Sequence, residues 1–393
     1  MPERRRVVYI SGSRADYGPA RRLLQTLHAQ PDFALSLLVC GMHLDPVHGE
    51  TWREIAADGL PIAERIPGRL PGDSLAAMAG SVGLYLYHMS QAIARIGPDI
   101  VLVLGDRGEQ LAGAAAAAFQ NITVAHLCGG SLSGSIDDSV RHAITKLAHY
   151  HLCACEEHAQ RIIQMGEDPS RVRVVGLPGG DLRPDVTIPR AELCAAYGLP
   201  ADQPYLLIVQ HPVTHQQAEA RAQAIETLEG VVASGCPALL ADPNDDAGGA
   251  AIRGTMEEYA ARVPRLRLLS PPASRERFVS VMAHAGALVG NSSAGIVEAM
   301  SIGVPVVNIG ERQRGREPLA CLLNVGHDRH EIQRAIEAAL HDPDYRSRLA
   351  AFSSHLVAHD TAAEVVECLR TLDLRAASQP KPFVTAPEWQ GAA

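Results

Sequence analysis

Several short stretches of this chain carry side chains able to move protons or to hold anions. In "AHLCGGSLSGSIDD", Ala125 to Asp138, an apolar run and two glycines lead to Cys128, Ser131, Asp137 and Asp138. "GDRGEQ" places Asp106 and Arg107 beside Glu109, and "VQHPVTH" sets His211 just past another apolar run. Carboxylates, a thiol and an imidazole can exchange protons with a bound substrate, and one positioned acid or base gives about 10²–10⁴-fold in rate. A second group of residues suits anions. Arg14 lies in "SGSRADYG", Ser292, Ser293 and Glu298 in "VGNSSAGIVEAM", and Arg312, Arg314 and Arg316 in "NIGERQRGRE". A glycine-bearing turn entering a helix gathers free backbone N–H groups and the positive dipole end, which favours a phosphate. Each stretch also has a plain structural reading. Arg14 can pair with Asp16, Asp106 with Arg107, Asp137 and Asp138 can complement a helix dipole, and the arginine cluster can be a solvated loop.

The elements that must position these residues are strands alternating with helices. Apolar runs "VVYI", "SLLVC", "DIVLVLG", "ITVAHL", "HLCAC" and "RVRVVG" in the first half predict a parallel sheet with crossover helices. The alanine-rich stretch "RGEQLAGAAAAAFQ" reads as a helix packed close to that sheet. In "SIDDSVRHAITKLAHY", Ile136, Val140, Ile144 and Leu147 define an apolar face, and Ser135 with Asp138 resembles a capping box. "GLPGGDLRPDVTIPR" then breaks the periodicity. Beyond it "YLLIVQ", "PALLAD", "LRLLS", "ALVGN" and "VPVVNIG" begin a second series. The reading is an α/β protein with two doubly wound Rossmann-like domains, residues 1–187 and 188–377, followed by an irregular, proline-rich tail at 378–393. Ligands of such sheets sit at the carboxyl ends of the strands, so the polar stretches should face a central cleft.

Composition narrows the class. The chain has 393 residues, 47% of them hydrophobic, 20% charged, with a formal net charge of −9. An acidic chain without a basic stripe argues against nucleic acid and anionic membrane surfaces as partners. No run approaches the roughly 20 apolar residues of a membrane span, and "MPERRRVVYISGSR" turns polar before a secretory segment forms, so a cytoplasmic location is expected. The 8 cysteines are scattered and the 17 histidines show no paired-ligand spacing, so no metal is expected.

Taken in order, "GSRADYG", "GMHLD", "GDR", "GSIDDSVRHAITKLAHYH", "QHPVT", "GNSSAGIVEA" and "NIGERQRGRE" make the chain similar to one family from about residue 7 to 330. It resembles the hydrolysing UDP-N-acetylglucosamine 2-epimerases of bacterial sialic- and nonulosonic-acid synthesis and the epimerase domain of the animal bifunctional enzyme. The resemblance implies a glycosyltransferase-B-like fold, a nucleotide sugar bound in the cleft without an organic cofactor, and a homodimer or homotetramer. It further implies that Arg14, Arg107, His211, Ser292, Ser293 and Arg312 surround the diphosphate. Glu298 would hold the ribose, Asn244 in "ADPNDDAG" would lie near the nucleotide, and Asp106, Asp137 and Asp138 would serve the sugar and its proton transfers.

One departure from the pattern stands out. Similar members read His-Ile-Glu-Gly-Gly-Glu where this chain reads His126-Leu127-Cys128-Gly129-Gly130-Ser131. Cys128 is thus a candidate auxiliary base, and Gly108, where an aromatic is usual, is expected to leave room in the pocket. An altered reaction, either epimerisation of a modified sugar or glycosyl transfer, is the alternative this departure raises. A nucleotide-sugar sensor without turnover is the other.

Overall fold

Two parallel sheets carry the chain in the computed structural model, which describes residues 4–179, 186–270, 274–293, 295–315, 321–356 and 360–385. The first sheet is built from β1 (Arg5–Ser11), β2 (Phe33–Val39), β3 (Ile62–Arg65), β4 (Ile100–Leu104), β5 (Thr123–Leu127), β6 (Tyr150–Cys153) and β7 (Val172–Val174). Its order is β3-β2-β1-β4-β5-β6-β7. The second contains β8 (Leu206–Val209), β9 (Ala238–Leu240), β10 (Leu266–Leu268), β11 (Ala287–Gly290), β12 (Val306–Ile309) and β13 (Leu322–Val325), in the order β10-β9-β8-β11-β12-β13. These are two doubly wound α/β units in the glycosyltransferase-B-like arrangement. The order reverses between β1 and β4 and between β8 and β11, the switch points where crevices open in such sheets.

Central strands are buried on both faces, which is why they read as unbroken Val, Ile and Leu runs. Each fully buried side chain of this kind contributes about 1.5–3 kcal/mol. The alanine-rich segment forms helix Gly108–Ala118, and a Cβ at Gly113 would stand 2.7 Å from Ile10 Cγ1. Small side chains let that helix sit directly on β1. Strands β3 and β13 escaped the sequence reading because both are four-residue edge strands, half exposed.

The expected boundary near the C-terminus is corrected. Helix Thr361–Thr371 buries Val365, Val366 and Leu369 in the same cluster as Val7, Tyr9 and Leu24, so it covers the first sheet rather than the second. Its apolar face matches the one left open beside helix Arg14–His28. The described part of the tail, up to residue 385, is irregular but docked; residues 386–393 lie outside the described residues. Lys381 donates to the carbonyls of Thr145 and Lys146, at 3.0 Å each, and Val384 N to Gly166 O at 2.9 Å. Of the breaker segment between the domains, residues 180–185 lie outside the described residues, as does Arg316. Thr187 and Ile188 already hang from Ser280 of the second domain. Among the described residues, no helix is long and apolar enough to cross a membrane.

The two halves touch along the cleft. Gly134 N donates to Arg312 O at 2.9 Å, and a Cβ at Gly134 would fall 1.9 Å from Glu311 O, so only glycine permits this approach. Asp245 of the second domain receives His48 and Arg69 of the first, each at 2.5 Å. The Asp73 carboxylate accepts from Gly248 N at 2.7 Å and Ala250 N at 3.2 Å, capping helix Gly249–Arg262 across the domain boundary.

Candidate active site

A cavity of about 350 Å³ lies between the carboxyl ends of both sheets. On the second-domain side, Asn291 at the exit of β11 organises the wall. Its side-chain oxygen accepts from His211 N at 2.7 Å and its amide donates to His211 O at 2.8 Å. Its backbone carbonyl accepts from Arg312 Nη1 at 3.2 Å and Gln313 Nε2 at 2.9 Å. Gly290 just before it has φ +142°, and a Cβ there would meet Val209 O at 2.1 Å. Sequence GNSS therefore builds a turn pressed against the neighbouring strand.

His211 Nδ1 accepts from Asn244 N at 3.0 Å, which leaves the proton of the neutral ring on Nε2. Burial, then the charges of Arg312 and Arg107, hold its pKa well below the usual histidine range. The neutral ring can donate a hydrogen bond from Nε2. Ser292 and Ser293 line the cavity where a π-helical turn, Gly295–Ala299, begins. Glu298 accepts both nitrogens of Arg275, at 2.8 and 3.1 Å, in a buried fork-to-fork pair. Arg275 lines the cavity and was not anticipated, because "SRERFVSVM" reads as an ordinary amphipathic helix start.

On the first-domain side, Asp106 ends β4 and receives Arg141 Nη2. Arg141, only 2% exposed, also donates to Asp138 Oδ1 at 2.7 Å and to Ser131 O at 3.0 Å. One guanidinium thus ties the exits of β4 and β5 to helix Ile136–Leu147. That helix buries Arg141, Ile144 and Thr145 while Ile136 is 49% exposed, so its inward face is more polar than the apolar pattern predicted. The Ser135–Asp138 capping box is also modified. Ser135 accepts from Asp137 N at 3.2 Å, but Asp138 turns to Ser133 N at 2.6 Å and Oγ at 3.0 Å.

The paired aspartates therefore diverge. Asp137 lines the main cavity, 3.5 Å from Arg312 Nη2 across the cleft. Burial, then the charge of Asp106, pushes its pKa up. Asp138 instead borders a neighbouring cavity of about 730 Å³, whose shared wall is Asp106, Arg107, Ser133 and Asp137. Arg107 reaches Asp246 Oδ1 at 3.2 Å, and the Asn244 amide donates to the other oxygen of that carboxylate at 2.5 Å. Arg14 pairs with Glu54 at 2.5 Å, not with Asp16, and still borders the cavity. Asp16 folds back to accept from Gly12 N and Ser13 N, at 3.0 and 2.9 Å.

Cys128 lines the cavity at the exit of β5 with φ +60°, a conformation uncommon outside glycine. Ser131 is buried beside it, and among the described residues nothing hydrogen-bonds its Oγ. The room expected at Gly108 is filled: a Cβ there would lie 2.6 Å from Val82 Cγ2, so the neighbouring helix takes the space. Arg14, Asp106, Arg107, Cys128, Asp137, His211, Asn244, Ser292, Ser293, Glu298 and Arg312 all border the one cavity, and Asp138 does not.

A sequence model of the UDP-N-acetylglucosamine 2-epimerase family matches residues 25–370. A Legionella pneumophila protein named UDP-N,N'-diacetylbacillosamine 2-epimerase (hydrolyzing) is 38% identical over 340 residues, 86% of this chain and 90% of that one. The chain belongs to the UDP-N-acetylglucosamine 2-epimerase family. A Neisseria meningitidis relative named UDP-N-acetylglucosamine 2-epimerase is 35% identical over 340 residues, 85% of this chain and 87% of its own. The fold agrees. A crystal structure of a UDP-GlcNAc 2-epimerase from N. meningitidis bound to UDP-GlcNAc matches with a TM-score of 0.79 at 15% identity, covering 93% of this chain and 100% of that one. In this epimerase-family chain Cys128 and Ser131 both border the cavity.

Proposed function

We propose that the protein is a hydrolysing nucleotide-sugar 2-epimerase, converting a UDP-linked 2-acetamido sugar and water into UDP and the free 2-epimer. The observation that carries this reading is the convergence, on one interdomain cavity, of Arg312, His211 and Ser292 from one side with Asp106 and Asp137 from the other. The first group suits a diphosphate, and the second suits proton transfer at the adjoining sugar.

The chemistry follows from that division. A base takes the C2 proton, the C2–H electrons form a C1=C2 double bond, and the C1–O pair leaves with the diphosphate. Water then adds its oxygen to C1 while a proton reaches C2 from the opposite face. Arg312, the His211 Nε2–H and the serine turn would stabilise the charge that grows on the leaving diphosphate. Asp106, held by Arg141, and the buried Asp137 would handle the C2 proton.

Short side chains at Cys128 and Ser131 favour a sugar bulkier than N-acetylglucosamine. Relatives named for UDP-N,N'-diacetylbacillosamine, from L. pneumophila at 38% and Campylobacter jejuni at 30% identity, support that preference. Incubation with UDP-N-acetylglucosamine and UDP-N,N'-diacetylbacillosamine in parallel tests it. Release of UDP with a free mannosamine-type sugar, faster from the diacetylated substrate, is expected. UDP release only when an acceptor sugar is added would replace the reading with glycosyl transfer, and binding of both without turnover would replace it with a sensor.

A further inference from the structure

Inversion at C2 needs a proton-handling group on each face of the sugar ring, and Asp106 and Asp137 are gathered by Arg141 and Arg312 into one cluster. The opposite group has to come from elsewhere. The exit of β6 lies two strands beyond that of β4, roughly 10 Å along the sheet edge, about the span of a bound sugar ring with its contacts. There the chain enters helix Glu156–Gln164, whose third residue is His158. His158 is buried, 6% exposed, and borders the cavity with Cys128 and Ser131.

Its position is fixed by the turn that carries Cys128 and Ser131. Cys128 N donates to Leu152 O at 3.0 Å, laying the turn along β6. Arg161 Nη1 donates to Gly130 O, and a Cβ at Gly130 would stand 2.4 Å from His158 O. Gly130, at φ +80°, thus allows the helix to clamp over the turn and bring the imidazole into the corner where Cys128 and Ser131 are short.

We propose that His158 is a catalytic residue, the acid/base partner of the Asp106–Asp137 cluster on the opposite face of the sugar. The inference rests on the epimerase reading above. In the hydration step the imidazolium gives its proton to C2, the C1=C2 pair forms the new C2–H bond, and water oxygen bonds to C1. The proton shed by that water restores the imidazolium. The proton taken from C2 earlier leaves the aspartate cluster for solvent.

The test uses the full chain with His158→Ala and His158→Gln, assayed on whichever UDP-sugar the wild type turns over. The expected result is a kcat at least 100-fold lower, UDP affinity within threefold of wild type, and release of UDP together with the C1=C2 unsaturated sugar. Imidazole in the buffer should restore His158→Ala by tenfold or more, which a purely structural role would not allow. Gln160→Ala, on the exposed side of the same helix, should stay within threefold of wild type. Retention of wild-type rate in both His158 variants, or loss of the cooperative melt in both, would overturn the assignment. So would a 100-fold loss in Cys128→Ser, which would move the role to the thiol. Absence of UDP release by the wild-type chain would instead defeat the epimerase reading itself, and this inference with it.

Discussion

On the proposed function, the two walls of the cleft face opposite electrostatic problems. The second-domain wall, to which that reading gives the diphosphate, is built from donors already held in place: Arg275 is locked on Glu298, the His211 Nδ1 is occupied by a backbone N–H, and Arg312 and Gln313 both rest on the Asn291 carbonyl. The first-domain wall, to which that reading gives the proton transfers, is less evenly balanced. Burial and the nearby Asp106 push the Asp137 carboxyl up, while one arginine serves Asp106 and Asp138 together. A binding wall gains from preorganised donors whose orientation does not change on contact. A proton-transfer wall gains from groups whose protonation lies near the working pH. Cys128 and Ser131, the two short side chains past the end of β5, border the cavity on the first-domain side.

That contrast can be broken by mutation, and the largest effect is expected on the proton-handling side. Asp106→Asn should lower kcat by about 10²–10⁴-fold while UDP affinity, read by calorimetry, changes less than threefold. A parallel loss of UDP affinity would show that the walls are not separable. Next in size is Arg275→Met, which strands the buried Glu298 carboxylate and should reduce stability by about 3–5 kcal/mol. The measurement is denaturant unfolding of the whole chain, and addition of Glu298→Gln should recover part of the loss. Smaller again, Arg312→Ala removes a charged donor and should weaken UDP by about 10–100-fold, as expected for a charge-assisted contact of about 1.5–3 kcal/mol. Because Arg312 also faces Asp137, its kcat should change as well, unlike that of a residue on the binding wall alone.

Much of this was legible in the sequence, for identifiable reasons. Parallel strands buried on both faces announce themselves as apolar runs, and the polar motifs that follow them sit at strand ends by topology. The edge strands β3 and β13 are four residues long and half exposed, so neither stands out in this way. Arg275 and His158 lie in helix starts whose composition is ordinary, and only the third dimension brings them to the cavity. The separation of Asp137 from Asp138 was also hidden: adjacent residues at a helix start differ by about 100° in direction, and Ser133 decides which one turns away from the cavity. Gly108 shows the converse. A missing side chain predicts space only if no neighbour advances into it, and Val82 does. The return of helix Thr361–Thr371 to the first sheet depends on which apolar face remains uncovered, a property of the assembled layers.

The most direct test of the central claim follows the hydrogen at C2. With a UDP-linked 2-acetamido sugar in D₂O, proton NMR should show free 2-epimeric sugar carrying deuterium at C2, formed together with one equivalent of UDP. Release of a sugar that keeps its original C2 hydrogen and configuration would mean the cleft breaks the C1–O bond without the aspartates touching C2, and would contradict the division of labour between its walls.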